Sequence, residues 1–126
     1  MYPSHLKYTR EHEWISIEGN KAVIGITEYA QKALGDVVFV ELPELERKVE
    51  IGEAFGVVES VKAVSDIYAP CSGTITAVNE ALLDSPELIN QDPYGDGWII
   101  EMEISELSGD LLSAEEYEDL IAQEAE

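Results

Sequence analysis

The reversal between two apolar runs constrains the fold of this chain more than any other feature of its sequence. Residues 54–60 and 64–68 have the composition of paired strands, and the segment 59–62 connects them. This connection contains no Gly, Asn or Pro, so a type I turn, which tolerates most residues, is favoured over the primed hairpin turns. We therefore expect Lys62 to stand at a fixed and exposed tip, where a modifying enzyme can reach its amine.

The rest of the sequence is predicted to be mainly β. Five further runs have the alternation or the β-branched composition of strands: 13–18, 21–26, 36–42, 74–78 and 98–104. Gly19 and Asn20 join the first two runs as a two-residue hairpin. The run 36–42 is apolar almost throughout, which is typical of a strand buried on both faces. The segment 79–97 is rich in Asn, Asp, Pro and Gly, and predicts a loop with one helical turn at about 86–89.

Two short helices are also predicted. Thr27 can cap a helix over 28–34 that Gly35 ends. Ser113 and Glu116 have the spacing of a capping box, which begins a helix at about 113–124. Tyr117, Leu120 and Ile121 share one face of this helix, and we expect that face to dock on the β domain because about a dozen residues are marginally helical alone. A chain of 126 residues fits a single domain, 1–126.

The charge excludes several classes of partner. The chain has 7 basic and 27 acidic side chains, a formal net charge of -20, which argues against binding to nucleic acid or to anionic membranes. Lys62 is the last basic residue, and 16 acidic residues follow it. This acidity serves solubility, or it steers a small shuttle toward basic partners; composition does not choose between them. The apolar runs are too short to span a bilayer, and the N-terminus lacks a signal-peptide pattern. We therefore expect a cytoplasmic protein of a bacterium, or a protein of the mitochondrial matrix if the chain is a processed eukaryotic one.

The sequence predicts no disulfide, no metal site and no enzyme active site. Cys71 is the only cysteine and follows Pro70 in an apolar stretch, which favours a packed, inert thiol. His5 and His12 lack the paired spacing of metal ligands. No Ser-His-Asp order, Cys-His pairing or glycine-rich phosphate loop is present.

The surroundings of Lys62 resemble the biotinyl/lipoyl domain family. Pro70 lies eight residues after the lysine and Gly73 eleven, which are the distances found in that family. Biotin acceptors usually have Met on both sides of the lysine, whereas Val61 and Ala63 stand here, so the resemblance implies lipoate covalently attached to Lys62. Glu59 matches the acidic residue that lipoyl acceptors carry for recognition during lipoylation. From the residues alone, Glu59 is equally well interpreted as a solvated glutamate.

Further blocks narrow the resemblance to the H-protein family of glycine cleavage systems. Besides 59–66, these blocks are 12–14, 25–27, 30–31, 34–37, 40–43, 79–80 and 92–98. The resemblance implies a lipoyl-type sandwich of two small antiparallel sheets (a barrel-sandwich hybrid), with a core at about 21–104 and a C-terminal helix. It also implies a monomeric carrier protein without a catalytic site of its own. Glu46, Arg47 and Cys71 depart from the family pattern, and we expect them to alter local packing only.

The family resemblance implies a mechanism and its partners. Such proteins accept the aminomethyl group of glycine from a pyridoxal-phosphate glycine decarboxylase and pass it to a folate-dependent aminomethyltransferase. A flavin dihydrolipoamide dehydrogenase then reoxidises them, and a lipoate-attaching enzyme modifies them beforehand. By position, Glu13, Glu11 and Asp66 would line the cleft that shelters the loaded arm, where a protonated amine needs carboxylate partners. From the residues alone, Glu13 is interpreted equally well as a plain surface charge.

Three other functions remain open at this point. The chain could relay lipoate from the same lysine to other lipoyl-dependent enzymes. It could be a lipoyl domain cut from an acyltransferase, although such domains rarely carry the N-terminal hairpin and the C-terminal helix predicted here. It could also be an unmodified acidic interaction domain in which Lys62 is an ordinary surface residue.

Overall fold

The chain folds into two antiparallel sheets and four helices in a computed structural model that describes residues 2–124. The strands are β1 (Lys7–Tyr8), β2 (Glu13–Glu18), β3 (Lys21–Ile26), β4 (Val37–Glu41), β5 (Lys48–Val49), β6 (Ala54–Ser60), β7 (Val64–Tyr68), β8 (Cys71–Val78) and β9 (Ile100–Leu107). The helices are α1 (Glu28–Leu34), α2 (Ala81–Asp84), α3 (Leu88–Gln91) and α4 (Ala114–Glu124).

The two sheets share one apolar core. Six strands form the larger sheet in the order β1-β2-β3-β9-β8-β5, and three form the smaller sheet in the order β4-β6-β7. Ile15 and Ile24 of the larger sheet belong to the same buried cluster as Val40, Val58 and Ile67 of the smaller one. The predicted fold class, mainly β with two antiparallel sheets, short helices and a C-terminal helix, is confirmed.

The predicted hairpins and the first cap are confirmed because local signals determine them. Glu18 pairs with Lys21 across a two-residue loop, in which Gly19 has a φ of 64°. A glycine at this first central position suits a type II′ turn. Thr27 caps α1 by accepting a hydrogen bond from the Ala30 N–H at 3.2 Å, and Gly35 ends the helix.

The run 36–42, which forms β4, was predicted to be buried on both faces, and this prediction is wrong. Val37 and Val40 are buried, but Val38 and Phe39 are 54% and 49% exposed. The reason is that β4 is an edge strand of the smaller sheet, whose outward face is open to solvent. The register also shifts between Val37 and Phe39, which turns the side chains that follow the bulge.

The segment 79–97 is more helical than predicted. It forms two short helices, α2 and α3, whose Leu82 and Ile89 are fully buried. Burying these two side chains outweighs the turn-forming composition around them. The neighbouring strands also differ in their ends, because β8 begins at Cys71 rather than 74 and β9 begins at Ile100 rather than 98.

The C-terminal helix docks where it was predicted to dock. Ser113 and Glu116 form the capping box, with reciprocal backbone-to-side-chain hydrogen bonds of 2.9 and 3.1 Å. Tyr117 is fully buried and stacks on Tyr8 of β1 with 4.7 Å between ring centroids. Leu120 and Ile121 pack against the same cluster. The division of 1–126 into a core at about 21–104 and a helix stays a prediction, and residues 1, 125 and 126 lie outside the described residues.

No helix within residues 2–124 combines the length and the apolar character needed to cross a membrane.

Candidate functional site

Lys62 lies exposed at the tip of the β6–β7 hairpin. The ladder runs to the pair Glu59–Val64, and the Ser60 N–H then donates to the Ala63 carbonyl at 2.8 Å. The Ser60 hydroxyl accepts hydrogen bonds from the N–H groups of Lys62 and Ala63, both at 3.1 Å. Neither central residue has a positive φ, which excludes the primed turns and is consistent with type I geometry. These three hydrogen bonds, one donated by the Ser60 N–H and two accepted by its hydroxyl, fix the turn that carries the lysine.

The residues that follow α1 contact the tip of the hairpin and support it. The Val61 N–H donates to the Asp36 carbonyl at 3.0 Å. Gly35 adopts a φ of 78° and a ψ of -156°, and a Cβ at that position would lie 3.3 Å from Cε of Lys62. The aliphatic stem of Lys62 thus passes directly over Gly35, which leaves room for it because it has no side chain.

Asn90 holds this support in place, a role that no local sequence pattern indicates. Its side-chain amide donates to the Gly35 carbonyl at 2.9 Å, and its oxygen accepts from the Val37 N–H at 2.9 Å. Asn90 therefore clamps both sides of the α1–β4 connection from α3, 53 residues away from Val37 in sequence.

A cleft of roughly 170 Å³ opens between α1, β2 and the edge strand β7. Its walls include the apolar side chains Ile26, Ala30, Leu34, Val58 and Ile67. The three predicted cleft residues, Glu11, Glu13 and Asp66, all line it. Lys62 and Glu59 are outside the lining, but they belong to the hairpin whose second strand forms one wall.

Glu13 is the buried acid of the cleft, at 2% exposure. One carboxylate oxygen accepts a hydrogen bond from the Thr9 hydroxyl at 2.5 Å, and the other accepts from the Tyr68 N–H at 3.2 Å. Burial raises the pKa of Glu13 to about 7; these two hydrogen bonds oppose the rise, and nearby Glu11 adds to it. Glu13 therefore gains and loses a proton near neutral pH, and its charged form is strongly favoured by any cation that enters the cleft.

The remaining acids are more exposed. Glu11 lies on the exposed rim of the cleft. Asp66 pairs with Val57 in the ladder, so its side chain shares the outward face of the smaller sheet. Glu59 pairs with Phe39 and Val64 and lies on that same face, half-buried. The structure thus places Glu13 inside the cleft, Glu11 on its rim and Asp66 at its border.

Comparison of the chain with known proteins identifies its family. The family model described as glycine cleavage H-protein matches residues 6–124. The chain belongs to the glycine cleavage H-protein family. It is 59% identical over 123 residues to the glycine cleavage system H protein of Herpetosiphon aurantiacus, covering 98% of this chain and 95% of that one. It is 56% identical to the H protein of Carboxydothermus hydrogenoformans, covering 98% and 97%.

A solved member of the H-protein family has the same architecture. The crystal structure of a glycine cleavage system H protein from Mycobacterium marinum superposes with a TM-score of 0.88 at 43% identity. The match covers 99% of this chain and 100% of that one. The likeness therefore extends over the whole fold, including the hairpin that carries Lys62.

His12 also lines the cleft, although it was not predicted to do so. It lines the cleft next to Tyr29, with 4.7 Å between the ring centroids. Its Nδ1 lies 2.8 Å from the Tyr117 hydroxyl, which lies 2.7 Å from the Thr27 hydroxyl. The sequence signal was only its place in the block 12–14, because the contact with Tyr117 spans 105 residues.

Cys71 is packed, as predicted. It is fully buried, and its thiol lies 3.8 Å from the sulfur of Met102. Burial raises the pKa of the Cys71 thiol to about 11. Within residues 2–124, no group of three or more His, Cys, Asp or Glu side chains is arranged to hold a metal ion.

Proposed function

We propose that this protein is the lipoyl carrier of a glycine cleavage system, with lipoate attached through an amide to Lys62. In this function it carries the aminomethyl group of glycine from the decarboxylase to the aminomethyltransferase. One observation supports the proposal above all others. The exposed Lys62 stands on a fixed turn, and the second strand of the same hairpin forms one wall of a cleft lined by Glu11, Glu13 and Asp66.

The residues fit a lipoyl group at both ends. The Lys62 amine is accessible at the tip, and acylation removes its charge. The apolar wall of the cleft suits a hydrocarbon arm, and the acids at its other side suit a protonated amine. When bound, the lipoyl group would supply a disulfide that is reduced as one sulfur takes up the aminomethyl group, and the dithiol left after the group is passed on is reoxidised by dihydrolipoamide dehydrogenase.

Glu13 holds the amine in this mechanism. Thr9 and the Tyr68 N–H fix its carboxylate, so it accepts a further hydrogen bond without reorganisation. A protonated amine in the cleft lowers the pKa of Glu13 and keeps it ionised, which creates a charge-assisted hydrogen bond shielded from water. Glu11 adds negative potential at the rim, and Asp66 does so at the border of the cleft.

The protein acts without a catalytic site of its own and depends on four partners. These are the pyridoxal-phosphate glycine decarboxylase, the folate-dependent aminomethyltransferase, dihydrolipoamide dehydrogenase and the lipoate-attaching enzyme, for which Glu59 is a recognition residue. The net charge of -20 favours encounter with basic surfaces on these enzymes. We infer a location in the bacterial cytoplasm, since the relatives compared are bacterial proteins. That the free protein is a monomer stays a prediction from the family resemblance.

Reconstitution with the three cycle enzymes tests the proposal. Glycine-dependent release of carbon dioxide should require the lipoylated protein and should vanish in Lys62→Arg. Lys48→Arg, which changes an exposed lysine on β5, is the matched control and should keep full turnover. Full turnover by Lys62→Arg would contradict the proposal. Growth of a deletion strain on glycine, with and without added lipoate, separates this function from relay of lipoate to other enzymes.

A further inference from the structure

The outward face of the smaller sheet alternates apolar and acidic side chains in two directions. In the cross-strand row nearest the tip, Glu59 of the central strand lies between Phe39 and Val64. In the next row on the same face, two residues farther along each strand, Val57 lies between Glu41 and Asp66. Because cross-strand partners share a face and residues two apart along a strand do so too, these six side chains form one surface. We call this surface the checkerboard face.

Two of the three apolar members of this surface are unusually open to solvent. Phe39 is 49% exposed and Val64 is 67% exposed, although both stand on strands. Val61 at the tip, 68% exposed, extends the apolar area next to Lys62. Single exposed apolar residues are ordinary, but three of them around one exposed lysine indicate a surface that another molecule covers.

The charge of the face defines what can cover it. The three strands β4, β6 and β7 contain no Lys, Arg or His, and their three acids, Glu41, Glu59 and Asp66, all lie on the checkerboard face. A complementary partner therefore presents Arg or Lys side chains set between apolar ones. Such a partner would combine apolar contacts with charge pairs that fix its register on this face.

The short side chain of an unmodified lysine indicates which enzyme must contact the surface around the tip. The flexible stem of an unmodified lysine has only four carbons, so an enzyme that acylates Nζ must bring its active site to the turn itself. Such an enzyme contacts the residues around the tip. Enzymes that act on the finished arm reach a group held farther from the backbone, and they need not touch this face.

We propose that the checkerboard face is the docking surface of the lipoate-attaching enzyme, with Phe39 and Val64 as its apolar anchors and Glu41 and Asp66 as partners for basic side chains. The inference rests on the proposed function and extends recognition beyond Glu59. In the reaction served by this docking, Nζ of Lys62 forms an amide bond with the carbonyl carbon of a lipoyl adenylate. The bond from that carbon to the phosphate oxygen breaks, AMP leaves with the electron pair, and the amine proton passes to solvent.

Attachment kinetics test this docking surface. The full-length protein, purified without lipoate, is titrated against a bacterial lipoate-attaching enzyme supplied with lipoyl adenylate, and kcat/KM is measured by intact mass. Phe39→Ser and Val64→Ser should each lower kcat/KM by about tenfold, chiefly by raising KM, because buried anchors dominate such interfaces. Glu41→Gln should lower it by about threefold at low salt and by nothing measurable at high salt.

The control is an apolar residue with similar exposure in the other sheet. Leu107 is 42% exposed and pairs with Cys71, beyond the far end of β7. Leu107→Ser should stay within about twofold of the wild type, the range usual for surface substitutions. Melting followed by circular dichroism verifies that each variant folds, and Glu41→Gln keeps the test decisive should an apolar variant unfold.

Several outcomes would overturn the inference. Equal kcat/KM for the wild type, Phe39→Ser, Val64→Ser and Glu41→Gln would exclude docking on this face. An equal loss in Leu107→Ser, or an equal loss of turnover of the lipoylated variants with dihydrolipoamide dehydrogenase, would remove its specificity for the attaching enzyme. A dimer of the wild type that Phe39→Ser abolishes would assign the face to a second copy of the chain. A wild type that accepts no lipoyl group would overturn the proposed function as well.

Discussion

The Glu13 carboxylate accepts a hydrogen bond from the backbone N–H of Tyr68 at 3.2 Å, and this contact joins the two sheets next to the cleft. Glu13 belongs to β2 of the larger sheet, whereas Tyr68 ends β7, the edge strand of the smaller one. A buried acid therefore fixes the position of the lysine hairpin relative to the opposite wall. The same burial raises the pKa of Glu13 to about 7, so the acid that organises the cleft also responds to pH.

Replacing Glu13 should change how stability depends on pH. Because burial raises its pKa to about 7 from the usual 4.5, the folded protein holds a proton that the unfolded chain releases between these values. The stabilisation is fully present below pH 4.5 and is lost as the pH rises through 7. From pH 4 to pH 8, wild type should lose on the order of 3 kcal/mol relative to Glu13→Gln. Urea unfolding measures this difference.

Glu11→Gln is the matched control for the Glu13 variant, because it removes one neighbouring acid from the exposed rim. It reports the general effect of charge on the stability of this acidic protein. A wild type and a Glu13→Gln variant that lose stability in parallel over this range would show that Glu13 titrates as an ordinary surface acid.

Gly35→Ala should disturb Lys62 as well as the backbone. Gly35 has a φ of 78° and a ψ of -156°, a region that only glycine adopts freely, so the substitution should cost about 1–3 kcal/mol. The new Cβ would also lie 3.3 Å from Cε of Lys62, and the lysine stem must shift. We expect a lower free energy of unfolding together with slower lipoyl attachment.

Gly19→Ala separates the two effects of the Gly35 variant. Gly19 also has a positive φ, 64°, but a Cβ there meets nothing within 4 Å. It should cost about 1 kcal/mol of stability and leave the attachment rate unchanged. Equal attachment rates for Gly35→Ala and Gly19→Ala would show that Gly35 makes no specific contribution to the lysine.

Tyr117→Phe should destabilise the protein by about 1–2 kcal/mol. Its buried hydroxyl lies 2.7 Å from the Thr27 hydroxyl, which caps α1, and 2.8 Å from Nδ1 of His12 in the cleft. Removing the hydroxyl deprives both groups of a partner. Thermal unfolding measures the loss, with Tyr68→Phe, at a more exposed tyrosine, as the control; a melting temperature unchanged in both variants would contradict the role of this network.

Cys71 should resist thiol reagents in the folded protein. The side chain is fully buried and its pKa is raised to about 11, so the thiolate is scarce and inaccessible at pH 8. With a lipoyl disulfide on Lys62, as proposed, this burial would also prevent exchange between the arm and the thiol of Cys71. A colorimetric thiol reagent should react fully in urea and negligibly without it. Rapid reaction of the folded protein would contradict this packing.

The sequence predicted the features that local signals determine. The cap at Thr27, the loop at Gly19 and the capping box of Ser113 each depend on residues two to four positions apart. Apolar composition predicted that 36–42 forms a strand, but it did not reveal that Phe39 would face solvent. That outcome depends on the place of β4 at the edge of a sheet, which no local pattern specifies.

The features of the site likewise separate into those that the sequence predicted and those that only the structure shows. The exposed tip of Lys62 was predicted from its own hairpin, and the resemblance selected Glu11, Glu13 and Asp66, which line one cleft. The clamp by Asn90 was not predicted, because it connects segments that are distant in sequence. Only the register between strands showed that Asp66 shares the outward face with Glu59.

Intact mass spectrometry of the protein from lipoate-competent cells measures whether Lys62 carries a lipoyl group. The wild type should carry the mass of one such group, which peptide mapping should locate on Lys62. Lys62→Arg should lack that mass and melt at the same temperature as the unmodified protein. An unmodified wild type from such cells, or a lipoyl group retained by Lys62→Arg, would contradict the carrier function.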